Sequence, residues 1–226
     1  MDEQVRPAAP RRGAGGYEKG EQTRRRLLDV ALAAFGRSGY AATTTRRIVD
    51  EAGLNLPALS YYFGDKEGLY LACAQEIVER FKRATGPTAE AARTALAQPM
   101  SHEQARAQLK AVMGALAALI TTADVERGAS FVRQETANPG PAFEVLYAQL
   151  WRPGVELVAS LIACSVRREM ADDEATIRAV MMISSVTAFE RGRSVLSGPS
   201  GQDTVSERAR AVVAAVIQEQ IDALGR

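Results

Sequence analysis

Cysteine, histidine and tryptophan are almost missing from this chain, with two, one and one residues among 226. The cysteines, Cys73 and Cys164, lie far apart in apolar stretches of helical pattern and outside any C-x-x-C or Cys/His grouping. Neither a disulfide framework nor a zinc site is indicated, and both read as buried thiols. The single histidine, His102, stands in "MSHEQ" at an expected helix start. No nucleophile pattern, metal cluster or phosphate-cradling glycine loop accompanies it, so no enzyme, metal or cofactor is expected. Long apolar runs are missing too. The longest, around Val112 to Ile120, is well short of the roughly 20 residues of a membrane span, and no apolar run follows the basic N-terminal residues. A cytoplasmic protein with no membrane partner is the expectation.

Strand-forming residues are sparse while alanine is abundant, which favours helices and predicts an all-α fold. The chain is long enough for one large or two modest domains with a substantial core, so folding needs no staple. A net charge of +1 rules out a bulk basic field. The charge is unevenly spread, however. Between Val5 and Arg47 ten Lys and Arg residues face only Glu18, Glu21 and Asp29.

Residues 1–20 combine Pro, Gly and Arg with little to bury and read as a disordered basic tail, in which Arg11 and Arg12 are either a solvated charge run or a minor-groove arm. From Thr23, Leu27, Val30, Ala31, Ala34 and Phe35 recur at helical spacing until Gly39. A short helix then opens in "TTTRRIVDEAG", with Thr44 as N-cap, Ile48 and Ala52 facing inward and Gly53 supplying the turn. In "NLPALSYYF", Pro57 is tolerable only in a first helical turn, and Asn55 is a good cap for one. A third helix over 55–62 follows, burying Leu54, Ala58, Leu59 and Phe63 and exposing Leu56, Pro57, Ser60 and Tyr61. Two short helices joined through glycine behind a longer one make a helix-turn-helix unit.

Such a unit reads DNA through small or adaptable side chains near the start of its second helix and binds phosphates from its flanks. Asn55 and Ser60 supply hydrogen-bonding groups, Leu56 suits a thymine methyl, and Tyr61 and Tyr62 offer hydroxyls on rigid rings. Thr44, Arg46 and Lys66 lie where phosphates would be met. Thr44 as a plain cap and Tyr62 as a plain core aromatic remain open alternatives.

Downstream, Asp65 caps a helix running towards Phe81, "TGPT" interrupts it, and an alanine-rich helix ends at "AQPMS". Leu109, Val112, Met113, Leu116 and Ile120 mark another long helix. "ANPGP" ends the helix carrying Phe131, and Phe143, Tyr147 and Trp151 then follow at intervals of four. Pro153 opens the next helix, and Asp172 and Asp173 the one after, which ends near Gly198. The last helix carries Val205, Ala209, Val212, Val216 and Ile217. "AVMMISSVTAF" over 179–189 is apolar nearly all round, as suits a helix packed on its own domain and on a partner. Met113, Phe131, Arg133, Gln134, Tyr147 and Trp151 mix apolar surface with polar groups as ligand cavities do, though ordinary core has the same mixture. Arg133 and Glu135 are a possible ion pair.

The stretch "GYAATTTRRIVDEAGLNLPALSYYFGDKEGLY" resembles the DNA-binding signature of the TetR family of transcriptional regulators: a threonine run, Ala52 and Gly53 at the turn, Tyr-Tyr-Phe, and the "F-G-x-K-E" passage. "FVRQETANPGPAFEVLY" is similar to the C-terminal domain of the CecR-like group of that family. Where the family commonly has a basic residue, a glycine and a tyrosine, this chain has Leu56, Pro57 and Ser60. The resemblance implies Thr44, Arg46, Asn55, Leu56, Pro57, Ser60, Tyr61, Tyr62 and Lys66 as the DNA-binding set. It implies a tail over 1–20, a helix-turn-helix DNA-binding domain over 21–65 and a C-terminal helical ligand-binding and dimerisation domain over 66–226. It also implies a homodimeric repressor on a double-stranded, near-palindromic DNA operator, released by a small-molecule effector. A factor controlled by a protein partner, or acting with no small effector, is the alternative.

Overall fold

The computed structural model describes residues 14–197 and 206–224, apart from the side chains of 14–17, 123–127, 190–191 and 193–197. The described residues form helices and no strand: α1 (Ala14–Ala42), α2 (Thr45–Glu51), α3 (Leu56–Phe63), α4 (Lys66–Leu96), α5 (His102–Ile120), α6 (Ala123–Ala137), α7 (Phe143–Leu146), a π-helical turn (Tyr147–Trp151), α8 (Arg152–Ser165), α9 (Asp172–Ser197) and α10 (Glu207–Ala223). The fold is all-α, as composition predicts.

Residues 14–20 belong to helix α1 rather than to a disordered tail; 1–13, with Arg11 and Arg12, lie outside the described residues. Glycine-rich sequence has weak helical propensity, and neighbours supply what it lacks. Glu21 pairs with Arg24 and Arg25, Thr23 bonds back to the Lys19 carbonyl at 2.9 Å, and the Arg24 guanidinium sits 5.6 Å from the Phe63 ring centre. Gly39, at φ 74°, breaks the helical geometry where the apolar pattern stops.

Two hydrophobic cores divide the molecule. The first gathers α1, α2, Leu59 of α3 and the early part of α4, from Leu69 to Val78. Phe131, Ala142 and Leu146, from much later in the chain, belong to it as well. The expected division after residue 65 therefore falls at the cap of α4 while the first core reaches past it. Ala92, α5, α8, α9 and α10 build the second core.

Four local expectations change. "TGPT" does not interrupt α4, which runs through Pro87. A proline there costs one backbone hydrogen bond, but Thr85 stays tied to the Phe81 carbonyl at 2.9 Å and Ala92 is sealed in the second core, so packing carries the helix across. Pro153 stands in the first turn of α8, as expected, but that helix does not start afresh there. Helix α7, the π turn and α8 are continuous, and the Arg152 amide bonds to the Tyr147 carbonyl five residues back. Cys73 is buried, but Cys164 is exposed, because the inward stripe of α8 runs through Leu157, Leu161, Ile162 and Ser165 and passes it by. In α10 the buried residues are Ile217 and Ile221, whereas Val212 and Val216 face outward and Val205 lies outside the described residues.

Candidate nucleic-acid interface

The threonine run divides its labour. Thr43, fully buried, donates to the Gly39 carbonyl at 2.8 Å and to that of Ala34 at 3.3 Å, closing the end of α1. Thr44 accepts the Arg47 amide at 3.3 Å and so caps α2. One chain segment thus ends one helix and starts the next, which fixes the angle between α1 and α2. The closing role of Thr43 was not read from sequence, where adjacent threonines look alike.

The α2–α3 turn follows from Gly53. Its φ of 61° lets the Leu54 amide reach the Val49 carbonyl at 2.8 Å while its own amide reaches Asp50 at 3.1 Å, the paired bonds of a Schellman ending. Asn55 then accepts the Ala58 amide at 3.0 Å and caps α3, with Pro57 in the first turn. At the far end, Asp65 accepts the Gly68 amide at 2.8 Å and caps α4. A Cβ on Gly68 would stand 2.1 Å from the Phe63 carbonyl oxygen, so only glycine lets α3 and α4 approach this closely.

The burial pattern of α3 is the one its spacing predicts. Leu59 is buried, and Leu54, Ala58 and Phe63 are half-buried, while Asn55, Leu56, Pro57, Ser60 and Tyr61 are exposed. Tyr61 is 82% exposed and Leu56 45%, a high exposure for such apolar surface unless something covers it. The Tyr62 ring is half-buried and turned towards α1, its hydroxyl 3.3 Å from where a Gly20 Cβ would be. Its packing role is thus visible.

Around this helix the cations are differently engaged. Arg37 and Arg47 both bind Glu51, at 3.1 and 3.0 Å, and the Arg47 hydrogen bond, aided by that of Arg37, holds the Glu51 carboxyl below its ordinary range. Exposed Arg46 has no ion-pair partner among the described residues. Lys66 donates to the Ala41 carbonyl at 3.4 Å, which brings the start of α4 beside the connection carrying Thr44. A helix-turn-helix whose second helix is exposed, flanked by helix starts and by an arginine with no ion-pair partner among the described residues, has the form of a duplex-DNA-binding protein.

Of the six residues expected around a ligand, Met113 lies in a different core from Phe131 and Trp151. Met113 is sealed in the second core and Phe131 in the first, against Tyr70 at 4.6 Å between ring centres. Arg133 donates to Ser130 at 2.7 Å, and Gln134 faces Gly39. Tyr147 and Trp151 flank Phe143 at the π turn, with ring centres 6.1 and 5.2 Å from it. Glu135 is 1% exposed and receives the Tyr70 hydroxyl at 2.5 Å and the Gly140 amide at 3.1 Å. Burial and then that hydrogen bond raise the Tyr70 phenol.

Comparison with known proteins completes the assignment. Residues 27–73 match the family described as bacterial regulatory proteins, tetR family, and residues 105–226 match the C-terminal domain of the HTH-type transcriptional dual regulator CecR. The chain is 31% identical over 205 residues to that dual regulator from Shigella flexneri, covering 90% of this chain and 92% of the relative. It shares its fold with a TetR-like transcriptional regulator from Rhodococcus sp. RHA1, with TM-score 0.61 and 18% identity over 88% of this chain and 96% of that one. The SmeT–triclosan complex has the same fold, with TM-score 0.57 and 18% identity over 88% and 91% of the two chains. This chain belongs to the TetR family of transcriptional regulators, in its CecR-like group. It is a DNA-binding regulator and not an enzyme.

Proposed function

We propose that this protein is a cytoplasmic, homodimeric repressor that binds a near-palindromic operator and is released by a small molecule. The observation that carries the reading is the pair of exposed surfaces at opposite ends of the chain. At one end, Leu56, Ser60 and Tyr61 are exposed on α3, with Asn55 and Pro57 at its start; this face would read bases, and Thr44, Arg46 and Lys66 at the flanking helix starts would meet phosphates. At the other, α9 exposes Ile177, Val180 and Met181, the last at 68%, and α10 exposes Val212 and Val216. Exposed apolar residues on the last two described helices suit a self-complementary, two-fold contact between copies. Two recognition helices held about 34–36 Å apart would then meet successive major grooves.

Sedimentation of the full chain and of Met181→Asp and Val212→Asp variants tests this. The wild type is expected as a dimer and the variants as folded monomers with weakened binding to DNA footprinted upstream of the protein's own gene. A monomeric wild type that protects that DNA fully refutes the dimer.

Release by a small molecule is supported by the SmeT–triclosan complex, whose fold this chain shares. Trp151, packed on Phe143 at the π turn, would report an effector by a saturable fluorescence change over the concentrations that free DNA. A second reading, control by a protein partner or none, is favoured by the placement of Met113 in the second core, apart from Phe131 and Trp151 at the first. Release without any Trp151 response in the presence of a partner protein would support it.

A further inference from the structure

Lys66 opens α4, yet its ammonium reaches back 25 residues along the chain. It lies 4.4 Å from the centre of the Tyr40 ring and donates to the Ala41 carbonyl at 3.4 Å. Both partners belong to the end of α1 that leads through Thr43 and Thr44 into α2. The ring is itself held fast. Its centre is 4.7 Å from that of Tyr70 and 6.3 Å from that of Phe35, and Tyr70 continues the stack to Phe131. Burial, then Glu67 and Asp65, raise the Tyr40 phenol, so the ring stays neutral beneath the cation.

This arrangement places the lysine without using it up. An ammonium has three N–H donors; one is directed to Ala41 and one side faces the ring, which leaves donors for an incoming anion. A free lysine must lose rotamer freedom when it meets a phosphate, whereas one already resting on a fixed ring loses less.

We propose that Tyr40 is a positioning residue for DNA binding, its ring face holding the Lys66 ammonium beside the α1–α2 connection, ready for a backbone phosphate. The proposal rests on the reading of Lys66 as a phosphate contact. Tyr40 itself need not touch DNA.

The test uses the full chain and a random-sequence duplex, because phosphate contacts do not depend on sequence, with binding followed from low to moderate salt. Lys66→Ala is expected to weaken binding about tenfold and to flatten the log–log salt slope by about one. Tyr40→Leu should weaken it about three- to tenfold yet keep the wild-type slope, since the charge remains but is no longer placed. Tyr40→Phe should bind like the wild type, and the Tyr40→Leu, Lys66→Ala double variant no worse than Lys66→Ala alone. Additive losses in the double variant, or an unchanged Tyr40→Leu beside a weakened Lys66→Ala, overturn the positioning role and leave the phosphate contact standing. An unchanged slope in Lys66→Ala overturns the phosphate contact and the proposal with it. Independently of any variant's folding, the wild-type Lys66 ε-methylene protons should resonate upfield through the Tyr40 ring current, and a normal shift for them also overturns the proposal.

Discussion

The Tyr70 hydroxyl and the Glu135 carboxylate, 65 residues apart in the chain, meet in a 2.5 Å hydrogen bond inside the first core. Glu135 also takes the Gly140 amide, so this bond ties α4 to the end of α6 and to the loop that follows. Removing the hydroxyl leaves a buried carboxylate oxygen short of a donor. Tyr70→Phe is therefore expected to lower unfolding free energy by about 1–3 kcal/mol, measured by chemical denaturation. A variant as stable as the wild type means that the carboxylate is satisfied by water.

Gly68 is expected to tolerate no side chain. An added Cβ would meet the Phe63 carbonyl oxygen, a backbone atom that moves only if the α3–α4 junction opens. Gly68→Ala should cost about 1–3 kcal/mol and reduce DNA affinity, while the far-ultraviolet helical signal is retained. Unchanged melting and DNA binding would show that the junction is looser than drawn.

Leu56 is a cleaner probe of base reading than Asn55, whose side-chain oxygen already caps α3. Asn55→Ala mixes a cap loss of about 0.5–2 kcal/mol with any lost base contact. Leu56→Ala touches neither cap nor core and should change preference at particular base pairs by about 1–3 kcal/mol, read from a library of operator variants. Equal losses on operator and random DNA would remove Leu56 from the reading face.

Glu174 is expected to titrate far below an ordinary carboxylate. Hydrogen bonds from Arg168 and then Arg178 hold its pKa at about 2, against an unperturbed 4.5. A lowered folded-state pKa means that the stability it contributes is fully present above pH 4.5 and is lost as pH falls towards about 2. Carbon-detected NMR should find this carboxyl still ionised at pH 3.5. Glu174→Gln should lose less stability than the wild type over the same acid range.

Much of the DNA-binding unit was legible because its signals are local. Thr44, Asn55 and Asp65 cap the helices that follow them, Gly53 makes its turn, and the outward face of α3 falls where the spacing puts it. Each depends on chemistry within a few residues, which a linear chain displays.

The expected ligand site was not legible in this way. Phe131 and Met113 look alike as apolar helix residues, and only the packing of α6 against α1 and of α5 against α8 assigns them to separate cores.

The sequence alone determined the all-α class, the caps and turn of the helix-turn-helix and the outward face of α3, because side-chain-to-backbone bonds and a 3.6-residue period act over short spans. Tertiary structure alone decided that α4 continues through Pro87, that residues 14–20 are helical, and that Glu135 lies under Tyr70. Propensity is worth a few tenths to a few kcal/mol per residue, so burial against a distant helix can outweigh it, and which helix comes near is fixed only when the whole chain has packed.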